Sequence, residues 1–198
     1  MKKSLKRNTM RSLATLLAAT LICLASIASR SLLPLTPVAE CLQNMMCITF
    51  ACILGGAQGA GATGLFILAG SLGLPVFALS KSGIDYIAGE CGGYIMGYFL
   101  AAFISGLIAG SPFAFEKKFN AKNLLKILFA ASLGYALVYV PGLFWLRRSI
   151  LLDQESTFHA LFKGKSAFEQ WKNLIRIGFT PFIFSDILKL AITVPLIT

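Results

Sequence analysis

Asp186 and Lys189 stand three positions apart in a stretch, 177–198, that carries no other charge. On a helix such a pair shares one face, about 4.5 Å apart along the axis at about 1.5 Å of rise per residue. A lone charge in hydrocarbon is costly, so ionisable side chains in an apolar helix normally face a cavity or a partner. The competing reading is a salt bridge that merely lets the helix insert, or a lysine that snorkels to the surface. Gln43 and Asn44, in an earlier apolar run, could line the same interior or bond between helices.

Other chemistry is sparse. Cys23, Cys41, Cys47, Cys52 and Cys91 form no CxxC pair and have no neighbouring histidine, so they read as small hydrophobes rather than a disulfide frame or zinc site. His159 is the only histidine, and no Ser or Cys has a recognisable activating partner. The glycines of Gly89-Glu90-Cys91-Gly92-Gly93 lack the Lys-Ser/Thr that completes a phosphate-binding loop. The sequence therefore predicts no enzyme, no catalytic residues, no metal and no cofactor.

The elements that must position these residues follow from composition. Of 198 residues, 57% are hydrophobic and 13% charged, against about 25% charged in soluble domains, which excludes an ordinary soluble enzyme. The net charge of +10 then calls for a membrane explanation before a nucleic-acid one. Uncharged stretches at 12–29, 41–79, 91–115, 127–146 and 177–185, with 190–198 closing the chain, are of membrane character, since about 20 apolar residues cross a bilayer core as a helix. The longest of them holds two spans, divided where Gly55-Gly56-Ala57-Gln58-Gly59-Ala60-Gly61 lets the chain reverse. The expectation is one all-α membrane domain, 1–198, with six spans near 12–29, 38–54, 59–79, 92–111, 124–146 and 181–198. Thr180-Pro181 reads as an N-cap followed by a first-turn proline for the sixth.

Lys2, Lys3, Lys6, Arg7 and Arg11 precede the first span without an acid, which places the N-terminus in the cytoplasm. Six spans return the C-terminus to that side. Lys117, Lys118 and Lys122 against Glu116 agree; the basic 147–180 loop, with Arg147, Arg148, Lys163, Lys165 and Lys172, falls outside and disagrees. A cleaved signal peptide ending near Ser26-Ile27-Ala28 is the alternative for the first span. Ala14 and Ala18 give that span a small-xxx-small face that another helix can approach closely.

Gly73-Leu74-Pro75-Val76-Phe77-Ala78 closes the third span with a helix-breaking proline, and a Gly-rich loop runs on to Gly92-Gly93-Tyr94. Irregular backbone at membrane depth is tolerated where it lines a cavity. In order along the chain, these blocks resemble the BioY family, the biotin-specific S components of energy-coupling factor vitamin transporters. Gly73 to Ala78 matches the family's GLPVFA, and Gly89-x-x-Gly92-Gly93-Tyr94-x-x-Gly97-Tyr98 resembles GPTGGYLLGF. Leu33 to Val38 with Leu42-Gln43 resembles IPLxPVPxTLQ, Tyr139-x-x-Gly142-x-x-Trp145-Leu146 resembles YxxGxxWL, and Gly178-Phe179-Thr180-Pro181-Phe182 through Asp186-Ile187-Leu188-Lys189 resembles GVxPFxxGDLLK.

The resemblance implies a six-helix S-component architecture in the cell membrane that captures biotin outside and docks onto a transmembrane T component driven by two cytoplasmic ATPases. It implies Asp186 and Lys189 as substrate-binding residues, with Gln43, Phe77, Gly93, Tyr94 and Tyr139 beside them, and Ala14 and Ala18 as the face toward the T component. The expected partners are thus biotin, those subunits and the lipid bilayer, with no nucleic acid. Asp186 would accept from the ureido N–H groups while Lys189 donates to the ureido carbonyl, or Lys189 would take biotin's carboxylate. The chain departs from the pattern at Glu90-Cys91 for Pro-Thr, Ala39-Glu40-Cys41 for Pro-x-Thr, Phe66 for Tyr and Ser185 for Gly, and its 147–180 loop is longer and more charged. Other readings are an S component for a different small vitamin, or an assembly protein whose Asp186–Lys189 pair only holds helices together.

Overall fold

A computed structural model describes residues 2–32, 42–110, 121–153 and 158–197. The block 33–38, Cys41, Glu116, Lys117, Lys118 and Glu155 lie outside the described residues. Eight α-helices follow in order: α1 Lys2–Leu32, α2 Leu42–Leu54, α3 Gly56–Ser71, α4 Ile84–Ala88, α5 Gly92–Ala109, α6 Ala121–Leu152, α7 Ala167–Gly178 and α8 Thr180–Ile197.

The side chains are distributed as a bilayer solvent requires. Large apolar residues face outward, among them Phe129, Phe144, Phe184 and Leu188, while Gln43, Asn44, Asp186 and Lys189 are buried. In water such a surface would be an aggregation hazard; in lipid it is the favourable arrangement, and the polar groups must find partners inside. Among the described residues, four segments are long and apolar enough to cross a membrane: Asn8–Ala28 within α1, α5, α6 and α8. Helices α2 and α3 have 13 and 16 residues, about 20 and 24 Å at 1.5 Å per residue, short of the roughly 30 Å hydrocarbon core.

The reversal between α2 and α3 needs one residue, Gly55, at φ 93°; the remaining glycines of that run lie inside α3. Helix α3 ends at Ser71, not at 79 as the third apolar run suggested. Leu74, preceding Pro75, is biased away from helical backbone, and the chain crosses the helix ends as an irregular segment with a single 3-10 turn at Ala78–Ser80. Helix α6 runs through Arg147 and Arg148 to Leu152, beyond the expected 146. Charge marked where apolar character stops, but arginine is a good helix former, and the two guanidiniums sit over the rings of Trp171 and Trp145 at 5.8 and 5.5 Å.

The 147–180 segment is more than a loop. Ser166 accepts from the Glu169 N–H at 3.3 Å and Glu169 reaches back to the Ser166 N–H, a capping box that starts α7. Leu174 of α7 and Phe162 join Leu146 and Ile150 of α6 in a small second core. Only Phe179 separates α7 from α8, and Thr180 does not act as the expected N-cap: its hydroxyl donates to the Ile175 carbonyl at 3.2 Å, serving the end of α7.

Candidate functional site

Asn44, Tyr139 and Lys189 converge on the buried Asp186. Its carboxylate accepts from Asn44 Nδ2 of α2 at 3.0 Å, from Lys189 Nζ one turn along α8 at 3.4 Å, and from the Tyr139 hydroxyl of α6. Asp186 and Lys189 are 8% and 5% exposed, so the i, i+3 pair is an ion pair shielded from solvent. A buried pair is weak evidence for stability, because desolvation offsets attraction. Here two neutral donors from other helices add to it, and the hub ties α2, α6 and α8.

A cavity of about 320 Å³ adjoins the hub, within the roughly 300–1,000 Å³ of small-molecule sites. Gln43, Asn44, Tyr139 and Lys189 line it, but Asp186 does not. The carboxylate lies behind three donors and uses three of its roughly four acceptor positions. Its direct part is to hold Lys189, Asn44 and Tyr139 in place. Lys189, with three N–H groups and one committed to Asp186, has donors left for the cavity.

The apolar wall is aromatic. Tyr94, Tyr139, Tyr86 and Phe182 line the cavity. Tyr94 and Tyr139 meet edge to face at 6.2 Å, and Phe179 packs edge-on to Tyr139 at 4.7 Å. The Tyr94 hydroxyl donates to the Gly178 carbonyl at 2.8 Å, which joins α5 to the α7–α8 junction. At the accessible end stand Leu79, Glu90, Cys91 and Phe158. Leu79 and Ser80 have φ of 55° and 58°, a region costly for side chains with a Cβ, and such outliers cluster at ligand sites.

Two expected site residues are elsewhere. Phe77 is buried, edge-to-face with Phe66 at 5.7 Å and stacked on Tyr86 at 5.6 Å. It does not line the cavity; it anchors the segment that carries Ala78 and Leu79 to the wall. Gly93 is also absent from the lining. A Cβ there would lie 2.3 Å from the Trp145 Cβ and 2.5 Å from the Pro141 carbonyl oxygen, so its lack of a side chain lets α5 and α6 touch. Gln43 does line the cavity, and its amide also donates to Ser26 and, at 3.3 Å, to the Val76 carbonyl, which Ser26 shares. Gln43 and Ser26 therefore pin the Gly73–Ala78 segment to α2 and α1.

Ala18 is 2% exposed in the main core, with Ala14 partly buried against it. The open face of α1 carries Leu13, Leu16, Leu17 and Leu24 instead. Tyr86, Phe182 and Ser26 were not predicted as site residues. Ser26, a polar residue one turn beyond the buried Ile22 on the inner face of α1, was the readable signal among them. Among the described residues no group of three or more His, Cys, Asp or Glu side chains could hold a metal ion.

The model of the BioY family matches residues 1–198. The chain is 32% identical over 160 residues to a protein of Thermotoga maritima named biotin transporter BioY, covering 81% of this chain and 79% of that one. A Pyrococcus horikoshii protein named probable biotin transporter BioY is 29% identical over 179 residues, 90% of each chain. In fold, the chain is similar to the crystal structure of the S-component for biotin from an ECF-type ABC transporter, with a TM-score of 0.68 at 20% identity, over 97% of this chain and 90% of that one.

Proposed function

The chain belongs to the BioY family, and on that premise we propose that it takes up biotin as the substrate-binding S component of a vitamin transporter. The observation that carries the site is the cavity with the Lys189 ammonium in one wall and six aromatic rings in the others. Biotin needs a polar contact for its ureido group or carboxylate and apolar walls for its thioether ring and valeryl chain. Lys189 supplies donors that suit either the ureido carbonyl or the carboxylate. Asp186 acts through Lys189, Asn44 and Tyr139 rather than by accepting from the ureido N–H groups, because it lies behind them.

In this reading α1, α2, α3, α5, α6 and α8 make six crossings, the short α2 and α3 being accommodated by local thinning of the bilayer. The basic residues at 2–11 keep the N-terminus cytoplasmic and six crossings return the C-terminus there. No phosphate-binding loop is present in the sequence, so ATP is used by partner subunits: a transmembrane T component and cytoplasmic ATPases. The T component meets α1 on its exposed Leu13, Leu17 and Leu24, beside Ala14 and clear of Leu16. Ala18 becomes accessible to it only if α1 shifts.

Purified protein should gain thermal stability with added biotin by RT ln(1 + [biotin]/Kd). Absence of any shift at millimolar biotin, together with absence of labelled-biotin binding, overturns the assignment. Glu90 and Cys91 on the cavity wall favour a second reading, in which the same architecture takes another small vitamin or precursor. Competition of dethiobiotin, riboflavin or thiamine against labelled biotin distinguishes them.

A further inference from the structure

A second concavity, of about 710 Å³, lies between the N-terminal half of α1 and the α2–α3 turn. Asn8, Arg11, Ser12, Thr15 and Gln58 supply its polar lining, and among the described residues none of the lining is acidic. The Nε of Arg11 and the Nε2 of Gln58 have almost no solvent access and no hydrogen-bond partner among the described residues. Buried donors without acceptors are unfavourable and rare in folded proteins. Two in one concavity, one of them on a guanidinium, ask for an acceptor-rich anion from outside the chain.

The rest of the lining says which anion. Leu16, Leu54 and Leu65 continue the concavity from the donors along the apolar exterior, with Leu16 and Leu65 exposed. Arg11 stands three positions inside the apolar segment Asn8–Ala28, about one turn, which is headgroup depth. Lys6 is exposed just before it. Donors at headgroup level above a leucine wall fit a molecule with an anionic phosphate at one end and an acyl chain at the other.

We propose that the concavity between α1 and the α2–α3 turn is a binding site for an anionic phospholipid, whose phosphodiester is held by Arg11 and Gln58 while an acyl chain lies on Leu16, Leu54 and Leu65. Arginine's planar fork suits a phosphate better than a point charge does. The lipid satisfies the two orphaned donors and fixes α1 against the α2–α3 turn. None of these residues lines the cavity beside Lys189, so the proposal stands independently of which vitamin is bound.

The test is native mass spectrometry of the full chain released from nanodiscs holding phosphatidylglycerol and phosphatidylcholine in equal amounts. Wild type should retain phosphatidylglycerol selectively. Arg11→Gln should lower that retention by well over the roughly fivefold that one basic side chain contributes by diffuse attraction at an anionic surface, and Gln58→Leu, which leaves the charge intact, should lower it too. Lys6→Gln is the control and should lower it by no more than that diffuse factor. Equal retention in wild type, Arg11→Gln and Gln58→Leu overturns the site. So does a loss in Lys6→Gln as large as in Arg11→Gln, since the attraction is then diffuse. Thermal stabilisation by inorganic phosphate equal to that by phosphatidylglycerol overturns the lipid assignment, as does failure of excess short-chain phosphatidylglycerol to displace the retained lipid. Biotin-induced stabilisation should persist in every variant.

Discussion

Asn44 and Asp186 are 142 positions apart in sequence, yet the Asn44 amide donates to the Asp186 carboxylate at 3.0 Å. The same oxygen, Oδ1, accepts from Lys189, so one atom links the short second helix to the charge in the cavity wall. The bond explains how Lys189 and its partner carboxylate are held in place in an apolar bundle. Its counter-ion is itself fixed from a second helix and, through Tyr139, from a third.

Asp186→Asn and Lys189→Met should therefore fail in different ways. Asp186→Asn leaves a buried ammonium without a counter-ion, and breaking a buried pair in this way costs about 3–5 kcal/mol. A fall in melting temperature and a loss of biotin binding are expected together. Lys189→Met keeps the stem's length and leaves Asp186 with Asn44 and Tyr139. Its melting temperature should stay closer to wild type while biotin binding falls as far. Thermal denaturation and labelled-biotin binding on the same preparations separate the two, and wild-type binding by Lys189→Met would remove Lys189 from the site.

Tyr139→Phe deletes the hydroxyl that donates to Asp186 and keeps the ring between Tyr94 and Phe179. A hydrogen bond to a charged group contributes about 1.5–3 kcal/mol, so biotin affinity should fall by roughly tenfold or more. Tyr135→Phe is the matched control. Its hydroxyl meets Thr193 at 3.2 Å and it does not line the cavity, so isothermal titration should return an affinity near wild type. Equal effects of the two would show that the Asp186 hub does not govern the site.

Gly93→Ala should damage the bundle rather than the ligand contacts. The new Cβ would overlap the Trp145 Cβ and the Pro141 carbonyl, and neither is the tip of a flexible side chain. Helices α5 and α6 must separate. The expected outcome is a lower melting temperature in the presence and absence of biotin alike. A variant of wild-type stability with weakened biotin binding would instead restore Gly93 to the cavity wall.

The Asp186–Lys189 pair was legible because charge in an apolar run is conspicuous and helical spacing puts the two on one face, whereas Asn44 showed only as a polar residue in another apolar run, with its partner left open. Phe77 and Gly93 fall outside the cavity lining, which their motifs did not show because a motif gives residue types without giving their facing. In an irregular segment no periodicity says that Phe77 turns inward while Ala78 and Leu79 reach the cavity. The end of α3 was missed because hydrophobicity continues through Gly73–Leu79 although the helix does not. Helix α7 was hidden by its charge density, yet Ser166-x-x-Glu169 is a readable start signal. Tyr86 and Phe182 enter the wall only through packing between distant segments, which one sequence does not encode at short range.

Cys91 offers a direct report on occupancy. It is exposed, it lines the cavity, and Cys47 and Cys52 are buried. With Cys23 and Cys41 replaced by Ser, a maleimide should label Cys91 alone, and excess biotin should slow that labelling. The thiolate is the nucleophile, and desolvation at the cavity's edge raises the Cys91 thiol above its ordinary value of 9.0. A raised thiol pKa means less thiolate at any given pH, so labelling at neutral pH should be slower than for free cysteine. The midpoint of the pH–rate profile should lie above that of free cysteine. In Lys189→Met the intrinsic labelling rate should be retained and the protection by biotin lost. Undiminished labelling of the wild-type protein at saturating biotin would mean that the ligand does not occupy the cavity that Cys91 lines.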